Sequence, residues 1–453
     1  MAEHNAVIAG AGMAGLVAAA HLVRSDHNVV VLEKSAEPGG SLAISNGIIW
    51  TYLPYEALRN RAPKGDPALH RVLADRFEDD LEWLGDIGVD LQPPTFDVPA
   101  AGKEIDPPKF VDHMVELIET GGGEIRTEAP LDELLVDDGA VSGVRVAGPD
   151  GETTAIDAKA VIIATGGYQG NERLLERYIT DDAANLYLRS VPECTGDGYL
   201  AAEEAGAKST GGHGGFYGHT LAAPPAEFTT DEFAEATQYY GYAAVALDRH
   251  GERFTDESES EIEETLAQDV AAHTDGRAYY VFDSAIADET FGYYSAAQIA
   301  ETASDLGGRA TAVQTMHELE ATLESWGVNG QRAGETIRAY NRALRAGRQP
   351  DPPREGERHS IDDPPYHVVE VKPAITFSMG GLAVTPSMAV KRRSASSSDL
   401  AMADTATHHG VVPNLFAAGN DVGNVHRRTY VGGLAHALVS GRVAAESVAA
   451  DDD

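Results

Sequence analysis

The sequence predicts an α/β protein in which a parallel sheet with crossover helices is interrupted by a separate α+β segment. Over residues 7–33 an apolar run, a glycine turn, a helix pattern and a second apolar run follow one another. Another apolar run, over residues 160–163, also leads into glycines. Between residues 210 and 365 further helix patterns lie between a glycine-rich and a proline-rich stretch. Strands that alternate with helices are typical of parallel sheets.

The first glycine turn has the spacing of a dinucleotide-binding site. Its glycines directly follow the apolar run 7–9 and precede a helix pattern over residues 16–23. Gly10 permits the tight turn, Gly12 lets a pyrophosphate approach the backbone, and Gly15 lets the helix pack closely on the strand. The helix start offers N–H groups and a partial positive charge to the phosphates. Glu33 ends the second apolar run, where an acid binds the ribose.

The loop after the second strand indicates which dinucleotide is bound. Residues 37–41 (Glu-Pro-Gly-Gly-Ser) lead into residues 45–47 (Ser-Asn-Gly). This loop resembles that of flavoproteins with the glutathione-reductase-like fold, where it wraps the ribitol and ring of FAD. The resemblance implies a glutathione-reductase-like (Rossmann-type) FAD domain. Relatives that attach FAD through a His carry it just after the glycine pair, where this chain has Leu-Ala-Ile over residues 42–44. We therefore expect non-covalent FAD.

The chain is strongly acidic. Asp and Glu total 72 against 34 Lys and Arg, and the formal net charge of −38 is spread along the sequence. Such self-repulsion weakens a compact state, whereas molar salt shortens its range to ~3 Å. We therefore expect a halophilic, cytoplasmic protein. The alternative, an acidic surface for a basic partner, predicts a patch of acids. Binding to nucleic acid or to an anionic membrane is disfavoured.

Other classes of protein are disfavoured by what the sequence lacks. No apolar run reaches the ~18 residues of a membrane span, and no signal-peptide pattern precedes the first strand. Cys194 is the only cysteine, which excludes an internal disulfide, a Cys-ligated iron–sulfur cluster and a CxxCH haem site. We expect no metal site, and Cys194 is interpreted as a packing residue.

Four further motifs carry a resemblance along the whole chain. They occupy residues 164–171 (ATGGY-x-x-N), 195–198 (TGDG), 251–257 (GERFTDE) and 413–419 (PNLFAAG). In this order they resemble the fumarate reductase/succinate dehydrogenase flavoprotein superfamily. The resemblance implies hydride transfer between flavin N5 and a CH–CH or C=C bond next to a carboxylate or carbonyl, by desaturation or ene-reduction.

The same resemblance implies a domain organisation. Residues 210–365 are expected to form an inserted α+β capping domain, which in the family closes over the flavin. Residues 1–209 and 366–453 are expected to form one discontinuous FAD-binding domain. The insertion begins at the glycine-rich residues 211–215 and contains helix patterns over 316–326 and 334–345.

The sequence departs from true fumarate reductases at three positions of the substrate site. The position of the proton-donating Arg in those enzymes corresponds to a position near Glu261 in this chain. Where those enzymes have a His pair, this chain has residues 376–378 (Thr-Phe-Ser). Their Arg before the last Gly-Gly is Tyr430 here. A Tyr at this position is similar to tricarballylate dehydrogenases, the closer resemblance, and to 3-ketosteroid Δ1-dehydrogenases.

The departures lead to a set of candidate catalytic residues. Tyr430 is expected to act as a base or as a hydrogen-bond donor to a substrate oxygen. The two arginines before it suit a carboxylate, and three residues of the insertion are weaker candidates. The set is Tyr430, Arg428, Arg427, His213, His219 and Tyr242. The alternatives are that the tyrosine packs, the arginines face solvent and each His is structural.

The resemblance also implies the residues that contact FAD. Most of them belong to the first glycine turn, the acidic strand end, the loop over residues 37–47, the glycine turns at 164–166 and 419–420 and the last helix, and Pro130 and Asp197 lie outside these groups. They are Gly10, Gly12, Met13, Ala14, Gly15, Glu33, Lys34, Gly39, Gly40, Ser41, Ser45, Asn46, Gly47, Pro130, Ala164, Thr165, Gly166, Asp197, Gly419, Asn420, Gly433, Ala435 and His436. Asn420 stands where many relatives have Glu.

Two further functions stay open at this point. One is a flavin-bearing electron-transfer subunit that needs a partner protein, and the other is a fumarate-reductase-like enzyme with a non-standard proton donor. An NAD(P) dehydrogenase is disfavoured, because no second GxGxxG unit follows the first. The expected partners are a carboxylate or enone substrate and an external electron donor or acceptor, namely a quinone, a ferredoxin or a flavoprotein.

Overall fold

A computed structural model of the chain describes residues 4–95, 102–148, 151–211, 215–260, 262–292, 294–356, 358–393 and 410–451. The chain divides into two compact units. The first unit comprises Met1–Leu174, Ser190–Gly215 and Phe377–Asp453. The second unit comprises Leu175–Arg189 and Phe216–Thr376. The domain boundaries expected from the sequence, at residues 209/210 and 365/366, remain a prediction.

The strands are numbered along the chain. They are β1 (His4–Ala9), β2 (Val29–Leu32), β3 (Ile48–Ile49), β4 (Lys103–Glu104), β5 (Glu124–Arg126), β6 (Leu131–Asp137), β7 (Ala140–Ala147), β8 (Thr153–Ile163), β9 (Tyr187–Leu188), β10 (Phe216–Ala222), β11 (Val245–Leu247), β12 (Ala278–Phe282), β13 (Thr290–Phe291), β14 (Tyr294–Ser295), β15 (Ala310–Val313), β16 (Tyr366–Ser378), β17 (Ala389–Lys391) and β18 (Val411–Ala417).

The α-helices are numbered in the same way. They are α1 (Met13–Arg24), α2 (Tyr55–Arg61), α3 (Pro67–Asp86), α4 (Pro107–Thr120), α5 (Glu172–Tyr178), α6 (Asp197–Glu204), α7 (Phe233–Ala236), α8 (Glu264–His273), α9 (Ser284–Ala287), α10 (Ala296–Asp305), α11 (Met316–Ser325), α12 (Gly330–Arg345) and α13 (Gly433–Asp451).

The first unit is built on a sheet with the strand order β17-β18-β8-β1-β2-β5. All its neighbours from β18 to β5 are parallel, and β17 is antiparallel to β18. Residues 6–9 of β1 and all of β2 are apolar and buried, as expected when both faces of a parallel sheet are covered. Helix α1 contacts α4 and α13. The α/β fold class predicted from the sequence is confirmed.

A small antiparallel sheet branches from β8. Strand β7 pairs with both β6 and β8, and the turn between β6 and β7 lies at residues 137–140. Helices α3 and α4 begin directly after Asp66 and Asp106, whose side chains accept hydrogen bonds from backbone N–H groups in the first turn of each helix.

The second unit has its own mixed sheet. Strands β10, β16, β12 and β11 follow one another, and β9 and β15 also pair with β16. Along β12, Ala278, Tyr280 and Phe282 belong to one buried cluster, while Tyr279 and Val281 belong to another. Because side chains alternate along a strand, this sheet is buried on both faces. Helices α8 and α10 supply residues to the first cluster, and α11 and α12 to the second.

Three further properties bear on function. Among the described residues, no helix has both the length and the apolarity needed to cross a bilayer. In the same part of the chain, no group of three or more His, Cys, Asp and Glu side chains is arranged to hold a metal ion. Cys194 is buried, and burial raises the pKa of its thiol to about 12. A thiol of this kind is inert as a nucleophile.

Candidate active site

Four strand ends meet along one edge of the sheet in the first unit. Ala9 at the end of β1 is in register with Leu32 of β2 and with Ile163 of β8, and Ile163 is in register with Ala417 of β18. The segments that follow these four residues contain most of the residues predicted to bind the cofactor. Ligands of open α/β sheets bind outside the carboxyl ends of the strands.

The first glycine turn leaves space for a ligand at one position only. A Cβ atom added at Gly10 would lie 2.1 Å from the carbonyl oxygen of Ala164, and one at Gly15 would lie 1.9 Å from the carbonyl oxygen of Gly10. At Gly12 the nearest atom would be the Gly39 oxygen, 3.9 Å away. Gly12 is also the N-cap of α1 and no side chain caps this helix. The turn therefore fits the pyrophosphate of a dinucleotide.

Glu33 is held in place beside this turn. Its Oε2 accepts a hydrogen bond from the Ala11 N–H at 2.9 Å, and its Oε1 accepts from the N–H and the hydroxyl of Ser35, both at 2.8 Å. The side chain is buried. An ionised carboxylate has about four acceptor positions, so these bonds leave capacity for a ribose hydroxyl.

Lys34 connects the second strand to the start of α6. Its Nζ donates to Asp197 Oδ2 at 2.9 Å and to Thr195 Oγ1 at 2.6 Å. Asp197 and Lys34 were both predicted to contact the cofactor, and the structure brings them together as a half-buried ion pair. In this arrangement they fix the TGDG motif against the end of β2.

The loop over residues 37–47, which is expected to wrap the flavin, is ordered by hydrogen bonds within the loop and by a hydrogen bond to Ser190. Gly39 and Gly40 have positive φ angles of 125° and 52°, which glycine adopts without strain. The hydroxyls of Ser41 and Ser190 lie 2.8 Å apart. The Ser45 hydroxyl donates to the carbonyl of Leu42 and accepts from the Gly47 N–H. Asn46 is exposed, and Pro130 accepts a backbone hydrogen bond from Ala147.

Asp421 joins the ends of β8 and β18 and was missed by the sequence analysis. Its fully buried carboxylate accepts from the Thr165 hydroxyl at 3.1 Å and from the Gly166 N–H at 2.9 Å. Burial raises the pKa of Asp421 to about 6. The amide of Asn420 donates to the carbonyl of Gly166 at 3.1 Å. Thr165, Gly166 and Asn420, which are all predicted to bind the cofactor, therefore belong to one hydrogen-bonded cluster with Asp421.

The start of α13 is tied to the same edge. The Nε2 of His436 lies 3.0 Å from the carbonyl oxygen of Gly419, whose N–H donates to the hydroxyl of Ser440. Burial lowers the pKa of His436 to about 4. The ring is therefore neutral at pH 7 and donates its Nε2–H to Gly419. Ala435 is buried in the first turn of the helix.

Tyr430 lies just before α13 in an aromatic group. Its hydroxyl oxygen accepts the N–H of Gly433 at 2.7 Å. Its ring is stacked on His426, with centroids 5.4 Å apart and an interplanar angle of 18°, and contacts Trp50 and Phe377.

His426 is the second residue that the sequence analysis missed. The side chain is 3% exposed, and its Nδ1 accepts the N–H of Val431 at 3.2 Å. Burial lowers the pKa of the ring well below its ordinary value, so the neutral ring carries its hydrogen on Nε2. Within the part of the chain that the structure describes, this buried Nε2 has no hydrogen-bond partner. An orphaned buried donor of this kind can bind a ligand atom or an ordered water.

The remaining catalytic candidates differ in their surroundings. Arg427 and Arg428 are both half-buried, and Arg428 has a φ of 69°, in the left-handed region. In the second unit, His219 is buried on β10 beside Tyr217 and Glu263, whereas the ring of Tyr242 packs on Phe291. The predicted candidate His213 lies outside the described residues, as does Glu261.

The parallel sheet, the glycine turn at an uncapped helix and the acid after β2 define a dinucleotide-binding α/β protein. A family model described as FAD binding domain matches residues 5–434. The chain belongs to this family. The sequence-based assignment to the fumarate reductase/succinate dehydrogenase flavoprotein superfamily is confirmed.

Three comparisons illustrate the similarity. The chain is 25% identical to the NADH:acrylate oxidoreductase of Vibrio harveyi over 84% of its own length, but spans only 37% of that protein. It is 25% identical to the fumarate reductase (cytochrome) of Shewanella frigidimarina over 98% of its length and 77% of the relative. The crystal structure of 3-ketosteroid Δ1-dehydrogenase from Sterolibacterium denitrificans has a TM-score of 0.75 over the full length of both chains, at 15% identity. This last likeness concerns the fold.

Proposed function

We propose that the protein is an FAD-dependent oxidoreductase that acts on a CH–CH or C=C bond next to a carboxylate or carbonyl. Relatives named as acrylate and fumarate reductases support this class of reaction. The observation that carries the proposal is the pair of polar groups before α13, the Tyr430 hydroxyl and the orphaned Nε2–H of His426. FAD, when bound at the first glycine turn, supplies the two-electron redox chemistry.

The residues before α13 then act on the substrate by binding and polarisation. Tyr430 donates its O–H to a substrate oxygen, and the Gly433 N–H on its own oxygen strengthens it as a donor. His426 donates Nε2–H to a second polar ligand atom. Arg427 and Arg428 bind the carboxylate when the substrate carries one. Donors aimed at developing negative charge lower the barrier of the reaction.

The proposal is tested by flavin spectroscopy with two substrate panels. Purified protein is expected to be yellow, and its photoreduced form should be reoxidised without oxygen by an unsaturated carboxylate or by an enone. The corresponding saturated compounds should bleach the oxidised form if desaturation is the favoured direction. A colourless protein that takes up no FAD in high salt would refute the proposal, and so would a flavin that responds to neither panel.

A flavin-bearing electron-transfer subunit remains the second candidate. In either case an external electron donor or acceptor completes the cycle, and we propose a quinone, a ferredoxin or a flavoprotein. Flavin that exchanges electrons with such a mediator but with no substrate supports the second candidate.

We predict that the FAD is non-covalent. The residues after the glycine pair are Leu42, which is buried, and Ala43 and Ile44, which are exposed, and none offers a nucleophile for attachment. Acid denaturation followed by filtration should release all of the yellow colour into the filtrate. Colour that stays with the precipitated chain would contradict the prediction.

We also predict that concentrated salt stabilises the protein, in keeping with a halophilic, cytoplasmic origin. The net charge of −38 repels itself over ~10 Å at 0.1 M salt and over ~3 Å at 1 M. The Tm should rise by at least about 2–4 °C between these concentrations, the shift that ~1 kcal/mol produces in a domain of 150–250 residues. Sucrose at equal osmolality is the control, because it screens no charge. A Tm that is flat or falling with KCl contradicts the prediction.

A further inference from the structure

One loop of the first unit carries both polar groups of the candidate active site. This loop, the 424–431 loop, contains His426 and Tyr430. Asn424 and Arg428 have φ angles of 68° and 69°, in the left-handed region. Such angles are uncommon outside glycine, above all for a bulky side chain, and they persist only where the surrounding structure enforces them. The 424–431 loop therefore depends on contacts that other parts of the first unit supply.

Two hydrogen bonds from the start of α3 hold the first two residues of the loop. The backbone N–H of Asp66 donates to the carbonyl of Asn424 at 2.7 Å. The Nε2 of His70 lies 2.7 Å from the carbonyl oxygen of Val425, and the side chain of His70 is fully buried. The loop is therefore anchored directly before His426.

Arg59 sets the orientation of the His70 ring. Its Nη1 lies 3.0 Å from Nδ1 of His70 and donates to the carbonyl of Gly65 at 2.7 Å. A guanidinium group only donates, so Nδ1 is the acceptor and the ring donates its Nε2–H to Val425. Burial and the charge of Arg59 lower the pKa of His70, while Val425 and Asp66 act in the opposite direction. The ring is therefore neutral at pH 7.

Gly65 lies directly against the hydrogen bond between His70 and Val425. A Cβ atom added at Gly65 would lie 2.5 Å from Nε2 of His70 and 2.8 Å from the carbonyl oxygen of Val425. The φ of Gly65 lies outside the left-handed region, so the obstacle to a larger residue is steric. The hydrogen bond can therefore be broken in two independent ways, by removing its donor or by adding a methyl group at residue 65.

We propose that Arg59 and His70 form a clamp that holds the 424–431 loop and thereby positions His426 and Tyr430. Both members of the clamp are positioning residues, because they act through the loop. Every contact of the clamp lies within the first unit. Its effect on the reaction rests on the proposed function, which assigns the two positioned groups to the substrate.

Two backbone amides report where the positioned side chains lie. The Val431 N–H donates to Nδ1 of His426 at 3.2 Å, and the Gly433 N–H donates to the Tyr430 hydroxyl at 2.7 Å. When the loop leaves its conformation, both hydrogen bonds open and the two amides exchange with solvent. Their exchange rates therefore measure the clamp without a substrate.

Hydrogen exchange of the holoenzyme, followed by mass spectrometry, is the first test. In His70→Phe and in Gly65→Ala, the peptide that contains Val431 and Gly433 should exchange about 5- to 150-fold faster than in the wild type. This factor corresponds to leaving one buried acceptor, the Val425 carbonyl, without its donor. A peptide from β8 should exchange as in the wild type. Equally faster exchange in β8 would mean that the whole unit loosens, and would overturn the clamp.

Two further variants isolate the hydrogen bond. His70→Gln keeps an N–H donor and should restore slow exchange of the loop, whereas exchange as fast as in His70→Phe would overturn the assignment to this hydrogen bond. His113→Phe is the matched control. The Nε2 of His113 also lies near a backbone carbonyl, that of Ile87 at 2.9 Å, so the same kind of contact is lost elsewhere in the first unit. This variant should leave the loop unchanged.

The effect on the reaction is measured by anaerobic stopped-flow at saturating substrate. His70→Phe and Gly65→Ala should keep their FAD and slow the reaction of the bound flavin by up to about 10²-fold, the cost of a misplacement of about 1 Å in an active site. His113→Phe should react at the wild-type rate.

The two proposals fail in different ways. If no substrate panel reacts with the wild type, the proposed function fails, and hydrogen exchange still decides whether the clamp holds the loop. If His70→Phe and Gly65→Ala, both loaded with FAD, exchange at the wild-type rate, the clamp is overturned. It is equally overturned if exchange becomes faster but both variants react with substrate at the wild-type rate.

Discussion

Replacing Tyr430 with phenylalanine should slow the reaction between the flavin and the substrate by about 10²–10⁴-fold, while the protein keeps its FAD. The substitution removes only the hydroxyl, so the ring contacts with Trp50, Phe377 and His426 persist. A group that exchanges a proton with the substrate or polarises its carbonyl contributes rate enhancements of this size. The Gly433 N–H loses its acceptor, which costs about 1 kcal/mol of stability.

The measurement is the rate of flavin reduction or reoxidation in anaerobic stopped-flow experiments, together with the FAD content from the visible spectrum. Tyr52→Phe is the matched control, since it also removes only a hydroxyl and Tyr52 contacts Trp50 in the same aromatic group. A Tyr430→Phe variant with near-wild-type rates would assign Tyr430 to packing. The polarising role would then pass to His426, where His426→Phe removes the orphaned donor and keeps an aromatic ring.

The arrangement of the first glycine turn and the acid at adjoining strand ends was predictable, because the residues that indicate it lie close together in the sequence. The spacing of Gly10, Gly12 and Gly15 and the acid at Glu33 lie within one βαβ unit, and the structure places these residues at adjoining strand ends. Asp421 gave no such signal, because the groups that it binds at Thr165 and Gly166 lie about 255 positions away. Asp421 becomes a buried hydrogen-bond acceptor only because the assembled sheet brings the ends of β8 and β18 together.

In the inserted segment, too, the sequence alone does not reveal which charged residues are buried. In the sequence, the GERFTDE motif indicates only membership of the family. In the structure, its Arg253 and Glu257 form a fully buried ion pair. Glu263 follows in an acid-rich stretch, a composition that is typical of a solvent-exposed surface. In the structure, Glu263 is nevertheless completely buried in the second unit. Burial of this kind depends on strand pairing across the insertion, which periodicity along one segment does not reveal.

Replacing Gly12 with valine should weaken FAD binding by about 5- to 150-fold, because side-chain atoms would enter the space where the pyrophosphate approaches. Inserting methyl groups into a filled space costs ~1–3 kcal/mol, which corresponds to that range of affinity. The apoprotein itself has room for the change. The nearest atom to an added Cβ is 3.9 Å away, and the backbone of Gly12 is extended, with a φ of −80° and a ψ of −173°.

Gly15 cannot serve for this test, because its Cβ would lie 1.9 Å from the Gly10 oxygen and the fold itself would change. Gly85→Val is the matched control: an added Cβ there meets only Leu91, at 3.7 Å, and Gly85 lies on α3 rather than at the sheet edge. Titration of the apoproteins with FAD, followed by fluorescence, measures the affinities, and the far-UV circular dichroism of each variant reports its fold. A folded Gly12→Val variant that binds FAD as tightly as Gly85→Val would mean that the pyrophosphate does not pass over the start of α1. The cofactor would then have to contact the sheet edge through the segments that follow β2, β8 and β18.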